Sequence, residues 1–313
     1  MSSRAKRNEK NMLQTNFLQK KFNNPIVLAS GILGLTAASL NNAVKNGCGG
    51  VTVKSVSKDT RPGHPNPTMT GTKNYFINAV GLSNPSVAEG IKEFKKFKEM
   101  TDTPLIGSIF AGTPDEFAEV TEIICQSPID FLEVNVSCPN VSKEFGTPFA
   151  YDIKAVEVIT RKVKEKSTVP VIIKLTPQAW NVAEIAKAAE SAGADAICAG
   201  NTISGMAIDI RARKPILHNK QGGVSGPALF PVALKAVYDI YKTVKIPIIG
   251  TGGITRGEDA IAMIMAGATL LGVGSAVYYR GQDAFAKIAK EMEEFMREEG
   301  IESLEEIRGV AHL

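Results

Sequence analysis

No stretch of 18 apolar residues occurs in the 313-residue chain, so the sequence offers no candidate transmembrane helix. Nor is charge of one sign in large excess. The formal net charge of +4 is too small to argue for nucleic acid and fits a mildly basic site for an anionic ligand. Histidine is scarce: His64, His218 and His312 are scattered and do not pair. The four cysteines, Cys48, Cys125, Cys138 and Cys198, contain no C-x-x-C pair. Neither a zinc site nor an iron–sulfur cluster is spelled in this chain, and no metal is expected. No G-x-G-x-x-G follows an early strand, which disfavours an open, doubly wound dinucleotide fold. The first ten residues hold Arg4, Lys6, Arg7 and Lys10 but no apolar core after them, unlike a secretory signal. Residues 1–11 read as a basic, disordered tail, with a nucleic-acid or membrane arm as the alternative. Residues 12–313 read as one domain, and the thiols as reduced in a cytoplasmic protein.

What is present is an ordinary globular composition, 44% hydrophobic and 22% charged. Length alone suggests two domains, but an α/β barrel uses this size as one. Short apolar runs bounded by turn residues fall at 26–29, 50–55, 105–110, 131–137, 171–176, 196–201, 247–252 and 270–275. Helix-period stretches alternate with them, for example at 114–126, 152–166, 182–192, 229–242 and 257–266. Strands that alternate with helices imply parallel pairing, and eight such units imply a closed (β/α)8 TIM barrel. Ala192-Gly193-Ala194 and Ala266-Gly267-Ala268 each end a helix and lead into a strand. Residues 12–24 are compatible with a hairpin closing the bottom. The Pro/Gly/Asn-rich insert 58–83 falls at the catalytic mouth, where long loops are often functional.

Barrel chemistry gathers at the C-terminal ends of the strands. Those ends carry Ser30, Lys54-Ser55, Ser108, Asn135 with Ser137 and Cys138, Lys174, and Asn201-Thr202. The last two strands end in Gly250-Thr251-Gly252-Gly253 and Gly272-Val273-Gly274-Ser275. Glycine-rich turns there present backbone N–H groups to a phosphate; the plainer reading is that they only tighten βα turns. Gly222 to Gly226 reads as a further small-residue turn. Lys54 and Lys174 at a crowded mouth call for an anion or strong acceptor, unless they simply leave the strands into solvent. Asn135-Val136-Ser137-Cys138-Pro139-Asn140 sets a thiol between two amides at a strand end. Amides grip the edge of a planar polar ring, and a thiol exchanges protons with modest tuning. Taken alone, Cys138 is equally a small buried hydrophobe among turn formers.

Together these residues resemble the class 1 dihydroorotate dehydrogenases, most closely the flavin-binding catalytic subunit of class 1B. The resemblance runs from about Asn24 to the C-terminus. It is carried by Asn24 to Gly31, by Asn78 to Pro85, and by the Asn135–Asn140 block. Phe145-Gly146-Thr147 and Lys214 to Leu217 leading to Gly222 to Ala228 are similar to class 1B in particular. The resemblance implies one FMN per chain. Ser30, Lys54, Ser55, Asn135, Lys174 and Gly200 would surround its ring, and Gly226, Gly252, Gly253, Gly274 and Ser275 would hold its phosphate. Ser108 stands where many class 1B members have Asn facing the flavin. The pyrimidine carboxylate would be bound by Lys54, Asn78, Ala79, Val80, Gly81, Leu82, Asn135, Asn140, Asn201 and Thr202. Cys138 would be the base, where class 2 enzymes have Ser, and loop 141–148, hinged at Gly146, would close over the ring. Dihydroorotate would lose its C5 proton to Cys138 and its C6 hydride to the flavin, giving orotate for UMP synthesis. Electrons would leave through a partner subunit carrying FAD and a [2Fe–2S] centre and reducing NAD, in a heterotetramer built on a homodimer. The nearest rivals are a class 1A homodimer reducing fumarate and another flavin-dependent pyrimidine reductase. A flavin-free barrel synthase or phosphate-binding module is the reading from a different class.

Overall fold

The computed structural model describes residues 11–137 and 149–313. Eight parallel strands close into a barrel in chain order. They are β1 (Ile26–Leu28), β2 (Gly50–Thr52), β3 (Leu105–Ile109), β4 (Phe131–Asn135), β5 (Val171–Leu175), β6 (Ala196–Ala199), β7 (Ile248–Thr251) and β8 (Leu270–Val273). β8 pairs back onto β1 through Leu271 and Ile26. Helices α1 (Ala37–Lys45), α2 (Val87–Met100), α3 (Pro114–Ile124), α4 (Ile153–Lys166), α5 (Val182–Ser191), α6 (Phe230–Tyr241) and α7 (Gly257–Met265) follow the first seven strands in turn. α8 (Ala276–Arg280) and α9 (Ala284–Glu298) follow the last. The (β/α)8 expectation therefore holds. α3 shows why such helices start where they do: the Thr113 hydroxyl accepts from the Glu116 N–H, Pro114 opens the first turn, and Asp115 and Glu116 face the helix dipole.

Side chains alternate along each strand, so each strand serves two cores. Leu28, Val51, Leu132, Ile173, Ile197 and Leu271 belong to the large cluster shared with the helices. Val27, Ile106, Phe131, Ile172, Ala196 and Ile249 form a separate cluster with Phe17 and Phe22. Those two phenylalanines come from an antiparallel hairpin, Thr15–Phe17 with Lys20–Phe22, formed where residues 12–24 were expected to cap the barrel. Their rings lie 5.4 and 6.2 Å from that of Phe131 at the start of β4, so an aromatic plug closes the N-terminal end. Phe17→Ala is expected to cost about 3–5 kcal/mol, as for other fully buried aromatics, read from the midpoint of denaturant unfolding. An unmoved midpoint would show that the plug is dispensable.

Two local expectations are corrected. The predicted strands overrun the observed ones by up to three residues, as at 50–55 against Gly50–Thr52. There the regular ladder lapses over residues 53–55 and pairing resumes only as a single bridge between Val56 and Ile109. Of residues 222–226 only Gly226 bends the chain. Gln221–Ser225 is a strand between Ile203–Met206 and Phe76–Asn78, with Met69–Gly71 on the outer edge of the same antiparallel sheet. Glycine suits it because neighbours press close: a Cβ on Gly223 would fall 2.0 Å from the Thr202 hydroxyl. Through this sheet the 58–83 insert is fastened across the mouth of the barrel.

Candidate active site

A cavity of about 760 Å³ opens at the C-terminal ends of the strands. Ser30, Lys54, Ser55, Asn135, Lys174, Gly200, Gly252, Gly253, Gly274 and Ser275 line it, and so do Asn78, Ala79, Val80, Gly81, Leu82, Asn201 and Thr202. The structure thus gathers nearly all the expected residues around one space. Two stand back from it. Ser108, expected to face the flavin, is fully buried, donates its hydroxyl hydrogen to Glu133 and is not among the residues that line the cavity. Gly226 turns the chain behind Ser225, close to the Tyr279 hydroxyl. Cys138, Asn140 and loop 141–148 lie outside the described residues.

Different strand ends supply different chemistry. On one side the Oδ1 of Asn135 accepts from the Ser137 N–H at 3.2 Å and from the Asn201 Nδ2 at 3.3 Å. The Asn201 Oδ1 in turn accepts from the Thr202 N–H at 2.8 Å. Both amides are therefore oriented before any ligand arrives, and Asn135 offers its Nδ2 to the cavity. The Ser137 hydroxyl donates to the backbone carbonyl of Lys174 at 2.7 Å and ties the ends of β4 and β5 together. From the insert, the segment through Val80 is pinned by the His64 N–H, which donates to the Val80 carbonyl at 3.0 Å. Next to the end of β6, Gly252 and Gly253 follow β7. Gly253 has φ +73°, and a Cβ there would fall 2.4 Å from the Phe230 nitrogen of α6, so the turn is open only to glycine.

The floor holds a residue that pattern reading missed. Glu133 sits within an apolar run, yet period-two alternation places it on the inward face with Phe131 and Asn135; that alternation was the available signal. It is 2% exposed and Lys174 is 5% exposed. The Lys174 Nζ donates to Glu133 Oε1 at 3.3 Å, and the Ser108 hydroxyl donates to the same oxygen at 3.0 Å. Ser55 and Ser108 hydroxyls meet at 2.8 Å, and the Ser30 hydroxyl lies 3.2 Å from that of Ser55. Burial pulls Lys174 down, but the Glu133 carboxylate outweighs it and holds its pKa above the ordinary lysine value. Burial first, and Glu133 next, push the Cys198 thiol up to about 12, against the pull of Lys174. Cys198 is thus a neutral neighbour, while Lys174 carries fixed positive charge beneath the cavity. Lys54, beside Gly31, contributes a second cationic side chain to the wall.

The sequence model of the family described as dihydroorotate dehydrogenase matches residues 12–296. The chain belongs to the dihydroorotate dehydrogenase family. Among its relatives is a protein of Methanocaldococcus jannaschii, 44% identical over 96% of this chain and 98% of the relative. Another, of Methanosarcina mazei, is 46% identical over 93% of each chain. A third, of Pyrococcus abyssi, is 44% identical over 96% of this chain and 99% of its own. All three carry the name dihydroorotate dehydrogenase B (NAD(+)), catalytic subunit. Among the described residues of this dihydroorotate dehydrogenase family member, no helix is long and apolar enough to cross a membrane. No group of three or more His, Cys, Asp or Glu among them could hold a metal ion.

Proposed function

We propose that the chain is the catalytic subunit of an NAD-linked dihydroorotate dehydrogenase, oxidising (S)-dihydroorotate to orotate for UMP synthesis. The observation that carries this reading is the convergence on one cavity of two lysines, two pre-oriented amides and the glycine-rich ends of β7 and β8. The resident cofactor proposed is FMN, one per chain. The donor set fits it: the cavity has the size of a cofactor site, with hydroxyls and a charged lysine at its floor and the open Gly252-Gly253 turn at its side. FMN, when bound, supplies the acceptor for the hydride that leaves C6. Gly252, Gly253, Gly274 and Ser275 would hold its phosphate, and Ser30, Ser55, Lys174 and Gly200 would border its ring.

This chain's own residues do the rest. Lys54, with Asn78 to Leu82, would bind the pyrimidine carboxylate, and Asn135, Asn140, Asn201 and Thr202 would fix the ring. Orientation of this kind removes much of the entropic part of a barrier. Cys138, as thiolate, would take the proton from C5. Two electrons then pass to a partner subunit, for which we propose FAD and a [2Fe–2S] centre with NAD as final acceptor, in a heterotetramer built on a homodimer. The words "catalytic subunit" and "NAD(+)" in the relatives' names support that division of labour. The cytoplasm is the compartment proposed, where the free thiols of Cys48, Cys125 and Cys198 stay reduced.

Purified protein is expected to be yellow and to release one FMN per chain on denaturation. Mass analysis of the extracted flavin decides it: FAD, or no flavin at full folding, sinks the cofactor assignment.

A further inference from the structure

Among the described residues, Glu133 and Lys174 are the only two buried charged side chains. A buried ammonium without a counter-ion sheds its proton, and burial alone has lowered lysines by several units. Lys174 is protected from that by the Glu133 carboxylate 3.3 Å away. The other titratable groups around it are Cys198 on β6, which remains a thiol, and Lys54 beyond β2 on the wall of the same cavity.

The carboxylate is itself held. Ser108 gives its only hydroxyl hydrogen to Glu133, so in the 2.8 Å contact with Ser55 it is Ser55 that donates. The hydroxyl hydrogens of Ser55 and Ser108 therefore point along one line toward the acid. β3 and β4 meet with Ser108 opposite Glu133, and β5 and β6 with Lys174 opposite Cys198. The strand register thus assembles a fixed ion pair at the cavity floor, with Lys174 lining the cavity and Glu133 behind it.

We propose that Glu133 is a positioning residue: it keeps the Lys174 ammonium charged and fixed beneath the cavity, with Ser108 holding Glu133 in place. Its effect on chemistry rests on the flavin reading above. A fixed cation near a ring that gains negative charge on reduction stabilises the reduced form without reorganisation. The proposal assigns that cation's charge state to an acid which lines no part of the cavity.

The test uses the purified chain as isolated, with lysine labelled at 13Cε and the Lys174 signal assigned by its loss in Lys174→Met. In the wild type the signal should stay in its charged position to beyond the ordinary lysine pKa of about 10.4. In Glu133→Gln, which keeps the shape and removes the charge, it should titrate at clearly lower pH than in the wild type, because burial then acts unopposed. Glu133→Asp should restore most of the wild-type behaviour. A Lys174 signal in Glu133→Gln that titrates with the wild type overturns the proposal, whatever the flavin does. A second readout is the midpoint potential of the bound flavin against pH. The Glu133→Gln line should fall away from the wild-type line as pH rises, by up to about tenfold in reduced-to-oxidised ratio per pH unit over the range where Lys174 is neutral beside the oxidised flavin and charged beside the reduced one. Parallel lines would deny Glu133 its influence on the cofactor. If the wild type takes up no flavin, the functional reading fails, while the lysine titration still decides the ion pair. Should Glu133→Gln fail to fold, Ser108→Ala takes its place: Lys174 should then titrate lower than in the wild type, and an unmoved signal overturns the holding role of Ser108.

Discussion

Replacing Cys138 by alanine should slow reduction of the flavin by dihydroorotate about 10²–10⁴-fold, the usual worth of a positioned base. Flavin content and orotate binding should survive, because neither is assigned to the sulfur. The Asn135–Asn140 block contains no His, Asp or Glu to take over. A thiol works as a base only when ionised, and its ordinary pKa is near ~8.5. The reduction rate should therefore rise with pH through the apparent thiol pKa. Cys138→Ser should be slow and more steeply pH-dependent, since an alkoxide is harder to form. Anaerobic stopped-flow measurements across pH provide the check. Wild-type rates in Cys138→Ala would return the cysteine to its plain structural reading.

Lys174→Ala should damage the protein twice. It leaves the Glu133 carboxylate buried without its cation, a situation that typically costs about 3–5 kcal/mol. It also removes the charge beneath the flavin, so reduction should slow more than pyrimidine binding weakens. Asn201→Ala, on the side of the amides, should do the reverse. The two losses separate in a double-mutant cycle of wild type, Lys174→Met, Glu133→Gln and the two combined. Lys174→Met combined with Glu133→Gln should recover most of the stability, because no unpaired charge remains, yet the slow reduction should persist. Denaturant unfolding and rapid-mixing kinetics on the same four proteins measure both. Wild-type stability in Lys174→Ala would contradict the buried pair, and recovery of rate in the double variant would contradict the role of the charge.

The barrel was legible because eight apolar runs and their intervening helices repeat with regular spacing, and that rhythm comes from the parallel sheet itself. The residues around the cavity were legible for a related reason. In this fold the strand ends converge, so groups that are distant in sequence, such as Ser30, Lys174 and Gly253, must share one space. What depends on direction was harder to read. Glu133 looked like part of a buried run, and only the alternation of faces betrays that it points inward. Ser108 was assigned to the cavity because its strand ends there, but its hydroxyl found a stronger partner below. Gly222 and Gly223 looked like turn residues; the strands on either side crowd them, and that crowding is tertiary.

The phenylalanine plug at the base of the barrel has a consequence for traffic. Among the described residues Phe17, Phe22 and Phe131 pack that end closed, while the cavity opens at the other, so the mouth is the way in for a molecule that reacts. Electrons are under no such restriction, since they cross packed side chains without a channel. A vessel with one doorway can therefore keep two kinds of commerce apart. Pyrimidines queue at the opening, and a redox partner needs only to rest against a wall.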